Sequence, residues 1–181
     1  MRKIEIIQAT EGTRGEVSTP EFRLRLIPYA GLSRGFGEFM EKTWHLVEPC
    51  EWVMWQPADI EINYDELLEA CKTAPGDFWA LSLTPDSPHS HPWTVNNGTG
   101  WRSAPFVDLS PVYRYEFAKR MAPNFALSKS GWGLDILFAH HAGAWICHDY
   151  QMKHTKPLDS QNWLIDGKSP MDELEFIKSI L

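Results

Sequence analysis

Four side chains could do chemistry together: the carboxylates of Asp59, Glu61 and Asp135, and the imidazole of His154. Asp59 and Glu61 follow the apolar run Trp52-Val-Met-Trp55, which reads as a buried strand, and precede a helical pattern. In open α/β sheets ligands collect at the carboxyl ends of strands. Acidic oxygens there suit Mg²⁺ or Mn²⁺, hard cations that a diphosphate group would share. The same two acids would equally serve by facing solvent or capping the next helix.

Asp135 closes the segment Ser128-Lys-Ser-Gly-Trp-Gly-Leu-Asp135. Glycines around a large flat ring suggest backbone that passes close to something, often a ligand. An aspartate placed there could act as a general base or hold an acceptor hydroxyl. It could as well satisfy the amides of a helix start. His154 sits in the polar segment Gln151–Pro157, where a metal could find it. His140, His141, His148, Cys147 and Asp149 also cluster in the second half. That invites zinc, but no two-histidine helical-turn motif with a glutamate accompanies them.

Two further segments could touch a ligand. Gly31-Leu-Ser-Arg34-Gly-Phe-Gly37 precedes a helical pattern, and its amides with Arg34 could meet a phosphate. It lacks the lysine–serine ending of a P-loop. Residues 84–105 are rich in proline and glycine and form a long loop, the kind that is usually functional. That loop contains His89, which suits solvation, and His91, which could face a substrate.

Elements must position these groups. Ile4–Ile7, Phe22–Ile27, Trp52–Trp55, Phe78–Leu83, Phe106–Ser110 and Ala144–Cys147 read as strands. Helical spacing covers 36–47, Tyr64–Lys72, Tyr113–Met121, Asp135–His141 and Met171–Leu181. Strands and helices alternate early and mix later, which predicts a single α/β domain over 1–181 around a mixed, mostly parallel sheet flanked by helices.

Composition narrows the classes. The net charge is −7 with no basic cluster, which disfavours a nucleic-acid partner. Nine tryptophans exceed what a core usually needs, so some are expected to line a pocket. Three scattered cysteines suit buried free thiols in a reducing compartment. No apolar stretch approaches the roughly 20 residues of a membrane helix, and the N-terminus lacks a signal-peptide pattern. A cytoplasmic protein with no transmembrane segment is expected.

Several of these segments occur in a recognisable order: Trp55–Ile62, Leu83-Thr-Pro-Asp-Ser87 with Ser90-His-Pro92, Phe106-Val-Asp108, Ser128–Asp135 and Met152-Lys-His-Thr-Lys-Pro157. Together they resemble the DUF707 family of glycosyltransferase-like proteins, over roughly residues 45–160. The resemblance implies a GT-A-like, Rossmann-like domain with an abbreviated N-terminal nucleotide-binding part. It implies a nucleotide-sugar donor, an unknown acceptor and a Mn²⁺ or Mg²⁺ cofactor. By it, Asp59, Glu61 and His154 look like metal ligands and Asp135 like the catalytic base. Donor or acceptor contacts are expected at Arg34, Asp86, His91, Trp132, Gly133 and Lys156. Pro57 and Ala58 stand where an aspartate-rich motif would carry more acids. The alternatives are a non-catalytic sugar-binding or interaction module on the same fold, and a metal-dependent hydrolase.

Overall fold

A computed structural model describes residues 1–156 and 163–181. The strands are β1 (Arg2–Thr10), β2 (Gly15–Ser18), β3 (Phe22–Pro28), β4 (Cys50–Gln56), β5 (Ile60–Ile62), β6 (Phe78–Leu83), β7 (Trp101–Ala104), β8 (Val112–Arg114) and β9 (Ala144–His154). The helices are α1 (Phe36–Thr43), α2 (Tyr64–Thr73), α3 (Tyr115–Met121), α4 (Leu134–Ala142) and α5 (Pro170–Ser179). All nine strands join one sheet in the order β2-β3-β1-β4-β8-β6-β9-β5, with β7 also on β9.

The expectation of a mostly parallel sheet needs correcting. Among the described residues only β1–β3, β1–β4 and β6–β9 pair in parallel. The β2–β3, β4–β8, β5–β9, β6–β8 and β7–β9 ladders are antiparallel. The physical cause is β8, which inserts between β4 and β6 running against both. A consequence survives the correction: β3, β1, β4, β6 and β9 still all run the same way. Their carboxyl ends therefore gather at one edge of the sheet, and so do the segments that leave them.

Helices cover both faces. On one, Trp52 meets Trp79 edge-on and Trp79 meets Trp101. The indole of Trp101 donates to Thr73 in α2, placing that helix on this face. On the other, Trp55, Phe78, Tyr113, Phe125 and Phe138 form a chain of edge-on and tilted rings. Trp55 donates to Thr43 Oγ1 at the end of α1, and Phe117 of α3 packs on Phe138 of α4. The layer order is thus helix, sheet, helices. Trp52, Trp55 and Trp79 are completely buried, so they are core residues and not pocket lining. Burying each such ring removes roughly 150–250 Å² from water, which is how a domain of this size becomes stable. Cys50, Cys71 and Cys147 are free and buried, as their spacing predicts.

Some elements differ from the sequence reading. Phe106–Ser110 is not a strand; Leu109 and Ser110 instead adopt left-handed backbone, with φ of 55° and 46°. Tyr113 and Arg114, expected at the start of a helix, instead end β8 (Val112–Arg114). Strand β9 runs eleven residues, far past Cys147, and so delivers His154 to the carboxyl edge. No described helix is long and apolar enough to cross a membrane.

Candidate functional site

Strand β4 ends at Gln56, and the chain turns through Pro57–Asp59 into β5. Gln56 fixes that turn: its Nε2 donates to the Ile60 carbonyl at 2.7 Å, while its Oε1 accepts from the Tyr64 hydroxyl at 3.1 Å. From the other side Thr155 donates through both its amide (2.9 Å) and its hydroxyl (3.0 Å) to the Asp59 carbonyl. The Asp59 side chain is thereby presented to the end of β9. There His154 Nε2 lies 3.3 Å from Asp59 Oδ2.

The rest of His154 is also fixed. Its Nδ1 lies 3.0 Å from the Pro88 carbonyl, and its amide donates to Ser87 Oγ at 3.0 Å. A carbonyl can only accept, so Nδ1 carries the proton in this arrangement. Nε2 then faces a carboxylate that can also only accept. A carboxylate oxygen and an imidazole nitrogen so placed are groups that a cation could bridge. An imidazole held by Nδ1 to a backbone carbonyl is the usual second-shell arrangement of a metal-binding histidine.

Glu61 does not join this pair. Ile60 lies opposite His154 and Glu61 opposite Lys153 in the β5–β9 ladder, so Glu61 belongs to the other face of the sheet. Side chains alternate along a strand, so Glu61 faces away from His154, while Asp59 reaches the histidine from the turn before β5. Among the described residues no three His, Cys, Asp or Glu side chains are grouped to hold a metal. The His140–His148 cluster is likewise dispersed, with His140 and His141 at the end of α4 and His148 on β9.

A cavity of about 300 Å³ lies beside Ala58, the residue before Asp59. It is lined by Gln8–Gly12 at the end of β1, by Leu26 of β3, by Ala58 and by Lys156. Lys156 Nζ is 2.9 Å from Glu11 Oε1, and the Tyr29 hydroxyl donates to the same oxygen at 3.2 Å. The lysine pulls the Glu11 carboxyl below its usual range by hydrogen bond and charge. Burial, with the negative charge of Glu11, raises the Tyr29 phenol.

Asp135 stands in the first turn of α4, which starts at Gly133 with φ of 84°. It is half-buried, and burial raises its carboxyl to about 7, assisted by the charge of Asp108. Backbone amides of Gly133, Asp135 and Ile136 pull the other way without winning. Asp108 is raised too, chiefly by burial, while His91 and His154 lower it. Asp108 is a group to which the sequence reading gave no role of its own. The signal available was its place in the Phe106-Val-Asp108 segment. His91 stacks on Trp93 with centroids 4.7 Å apart and planes at 13°, and Phe106 meets both rings edge-on.

The remaining expected contacts are engaged elsewhere. The Arg34 guanidinium pairs with Asp166 at 2.6 Å and Glu38 at 3.3 Å. The Phe36 and Glu38 amides donate to the Ser130 and Lys129 carbonyls, so the loop's offered anion donors are already satisfied. Asp86 pairs with Lys153 at 3.0 Å, on the Glu61 side of the sheet. A Cβ on Gly133 would meet Ile177 at 3.0 Å, so this glycine makes room for α5. Trp132 is half-buried beside it. Pro157 of the Met152–Pro157 segment lies outside the described residues.

No family model matches the chain, and no curated protein matches it. Among solved structures it is similar to one described as the crystal structure of A197 from STIV, at a TM-score of 0.43 and 10% identity, over 91% of this chain and 99% of that one. So distant a likeness fixes neither fold family nor activity.

Proposed function

We propose that this chain is a small GT-A-like glycosyltransferase that moves a sugar from a nucleotide-sugar to an acceptor hydroxyl, in line with its resemblance to the DUF707 family. The observation that carries the reading is the Asp59–His154 pair, with Asp59 next in the chain to Ala58, which lines a cavity together with Lys156. The donor set fits a divalent cation. One carboxylate oxygen and one imidazole nitrogen suit Mn²⁺ or Mg²⁺, which commonly take one or two protein ligands and fill the remaining positions from phosphate and water.

Asp59 and His154 would hold that cation against the donor's diphosphate. When bound, it neutralises charge on the departing diphosphate. The Lys156 ammonium, paired with Glu11, lines the nearby cavity, and Gln8–Gly12 would face the nucleoside there. Asp135 of α4 would be the general base; burial raises its carboxyl to about 7, near the optimum for that role at neutral pH. The acceptor hydroxyl gives its proton to Asp135 as its oxygen bonds to the anomeric carbon. The bond from that carbon to the diphosphate oxygen breaks, and its electron pair leaves with the diphosphate.

Release of nucleoside diphosphate from a panel of nucleotide-sugars, with and without Mn²⁺, tests this. Turnover that needs both the cation and Asp135 is expected; release that is indifferent to Asp135 would remove the mechanism. The position of Glu61 on the far face favours a second reading, in which the fold keeps sugar binding without transfer. That reading expects donor binding with no turnover on any acceptor.

A further inference from the structure

The segment Leu83-Thr-Pro-Asp-Ser87 takes no part in the mechanism above, yet its polar groups are turned on the end of β9. It leaves the carboxyl end of β6 and folds at once into a tight turn. The Ser87 amide donates to the Thr84 carbonyl at 3.0 Å. Pro85 takes the second place, where its fixed φ suits such a turn. The turn is stitched to β9 at both of its ends. The Thr84 amide donates to the Met152 carbonyl at 3.0 Å, and the Ser87 hydroxyl accepts from the His154 amide at 3.0 Å. One residue on, the Pro88 carbonyl lies 3.0 Å from His154 Nδ1. Neighbouring residues of one turn therefore hold both the backbone and the ring of the same histidine.

Two further contacts brace the turn. Ser87 Oγ lies 2.8 Å from Thr84 Oγ1, so the hydroxyl that accepts the His154 amide is itself fixed. Asp86 pairs with Lys153 at 3.0 Å, and the Thr84 hydroxyl with that lysine holds the Asp86 carboxyl below its usual range. Lys153 and His154 point to opposite faces of β9, so the turn grips the strand from both. Ser87 is 3% exposed and His154 5%, so a hydrogen bond lost between them is not simply handed to water. Which imidazole nitrogen carries the proton is set by the bond the other makes. The Pro88 carbonyl claims the proton for Nδ1 and leaves the Nε2 lone pair on Asp59 Oδ2, 3.3 Å away. That is the form that can ligate a cation.

We propose that Ser87, braced by Thr84, is a positioning residue for the cation site: its hydrogen bond to the His154 amide keeps the Pro88 carbonyl on Nδ1 and so holds His154 in the tautomer and orientation that aim Nε2 at the Asp59 carboxylate. The use of that aim for a cation rests on the glycosyl-transfer reading, but the aim itself does not. Ser87 acts through His154 and need not touch cation or donor. The ring is set before any ligand arrives, by a turn that belongs to β6 and not to the strand that carries the histidine.

The test is ¹⁵N NMR of the histidine side chains in the whole protein without metal, with His154 assigned by its loss in His154→Gln. The measurement is made at about pH 8.5, well above the ordinary imidazole value of about 6.5. Wild-type His154 should carry its proton on Nδ1. Ser87→Ala should let it move toward the Nε2–H form that an unconstrained histidine favours. Thr84→Val should move it the same way, which keeps the test open if Ser87→Ala does not fold. Thr84→Ser keeps the bracing hydroxyl and should read as the wild type. On the same proteins, Mn²⁺ affinity in the presence of inorganic pyrophosphate should fall about tenfold in Ser87→Ala and Thr84→Val, and hold in Thr84→Ser. A proton found on Nε2 in the wild type, or kept on Nδ1 in both Ser87→Ala and Thr84→Val, overturns the proposal. So does an Mn²⁺ affinity that ignores a moved tautomer. A tautomer that moves in a protein with no affinity for Mn²⁺ supports the aim set by Ser87 and removes the cation reading instead.

Discussion

Gly37 and Ser128 leave no room for a side chain between them: a Cβ on Gly37 would lie 1.8 Å from the Ser128 carbonyl oxygen. Two segments far apart in sequence, the glycine-spaced turn before α1 and the glycine-framed tryptophan before α4, meet backbone to backbone at this point. The Phe36 and Glu38 amides complete the contact on Ser130 and Lys129.

Gly37→Ala should therefore cost about 3 kcal/mol, because the clashing atoms are main chain on both sides and neither can turn away. Gly12→Ala is the control. The nearest atom to its Cβ would be the Thr10 hydroxyl at 3.4 Å, and the change should stay within about 0.5 kcal/mol. Chemical denaturation of the two variants checks the contrast.

Glu173 holds the same loop from α5. Its carboxylate accepts from Ser128 Oγ at 3.0 Å, the Lys129 amide at 3.0 Å and the Ser130 amide at 2.8 Å. Burial alone would raise this carboxyl, but the hydrogen bonds from Ser130, Ser128 and Lys129 outweigh it and hold it below 4.5. The sign follows: the folded form binds its proton less readily, so the stabilisation is complete above the unfolded value of 4.5 and fades as pH falls through the lower folded value. Glu173→Gln should lose about 2 kcal/mol at neutral pH. It should also flatten the acid limb of a stability-versus-pH curve; a limb as steep as in the wild type would assign that slope elsewhere.

Much of the frame is legible in the sequence, and the failures have physical causes. Long apolar runs such as Trp52–Trp55 and Phe78–Leu83 announce themselves as strands because burial demands them. The three-residue strands β5 and β8 are too short to show a period, so Tyr113 and Arg114 read as the start of a helix. The glycines around Trp132 show that a Cβ is not tolerated, but not what stands opposite. Here it is Ile177 at Gly133 and, at Gly37, the chain itself. Asp59 and His154 were legible as candidates because both follow strands. Glu61 was misleading because a two-residue spacing within a strand puts both acids on one face, whereas Asp59 stands in the turn before β5 and only Glu61 follows the strand, away from His154. The left-handed Leu109 and Ser110 carry no sequence signal at all.

Asp135→Asn should lower transfer by roughly 10²–10⁴-fold, the usual contribution of a general base. Donor binding should be nearly unchanged. In the wild type, the rate should rise with pH through about 7, as the raised Asp135 carboxyl loses its proton. A rate already maximal near pH 5 would contradict the base assignment.

His154→Ala and Asp59→Asn remove the two groups that face each other. Each should raise the Mn²⁺ concentration needed for half-maximal donor binding by at least about tenfold, since loss of even an outer-shell partner costs that much. Glu61→Gln should leave it unchanged. Titration of Mn²⁺ by calorimetry in the presence of nucleoside diphosphate compares the three.

The central claim is that the cavity beside Ala58 takes a nucleoside diphosphate only together with a cation held by Asp59 and His154. Thermal unfolding with Mn²⁺ alone, nucleoside diphosphate alone and both together addresses it most directly. Both together, at a hundred times the dissociation constant, should stabilise the protein by about 2.7 kcal/mol, with little effect from either alone and none from the pair in Asp59→Asn. An unfolding temperature that the combination leaves unchanged, or that rises equally in Asp59→Asn, would contradict the account.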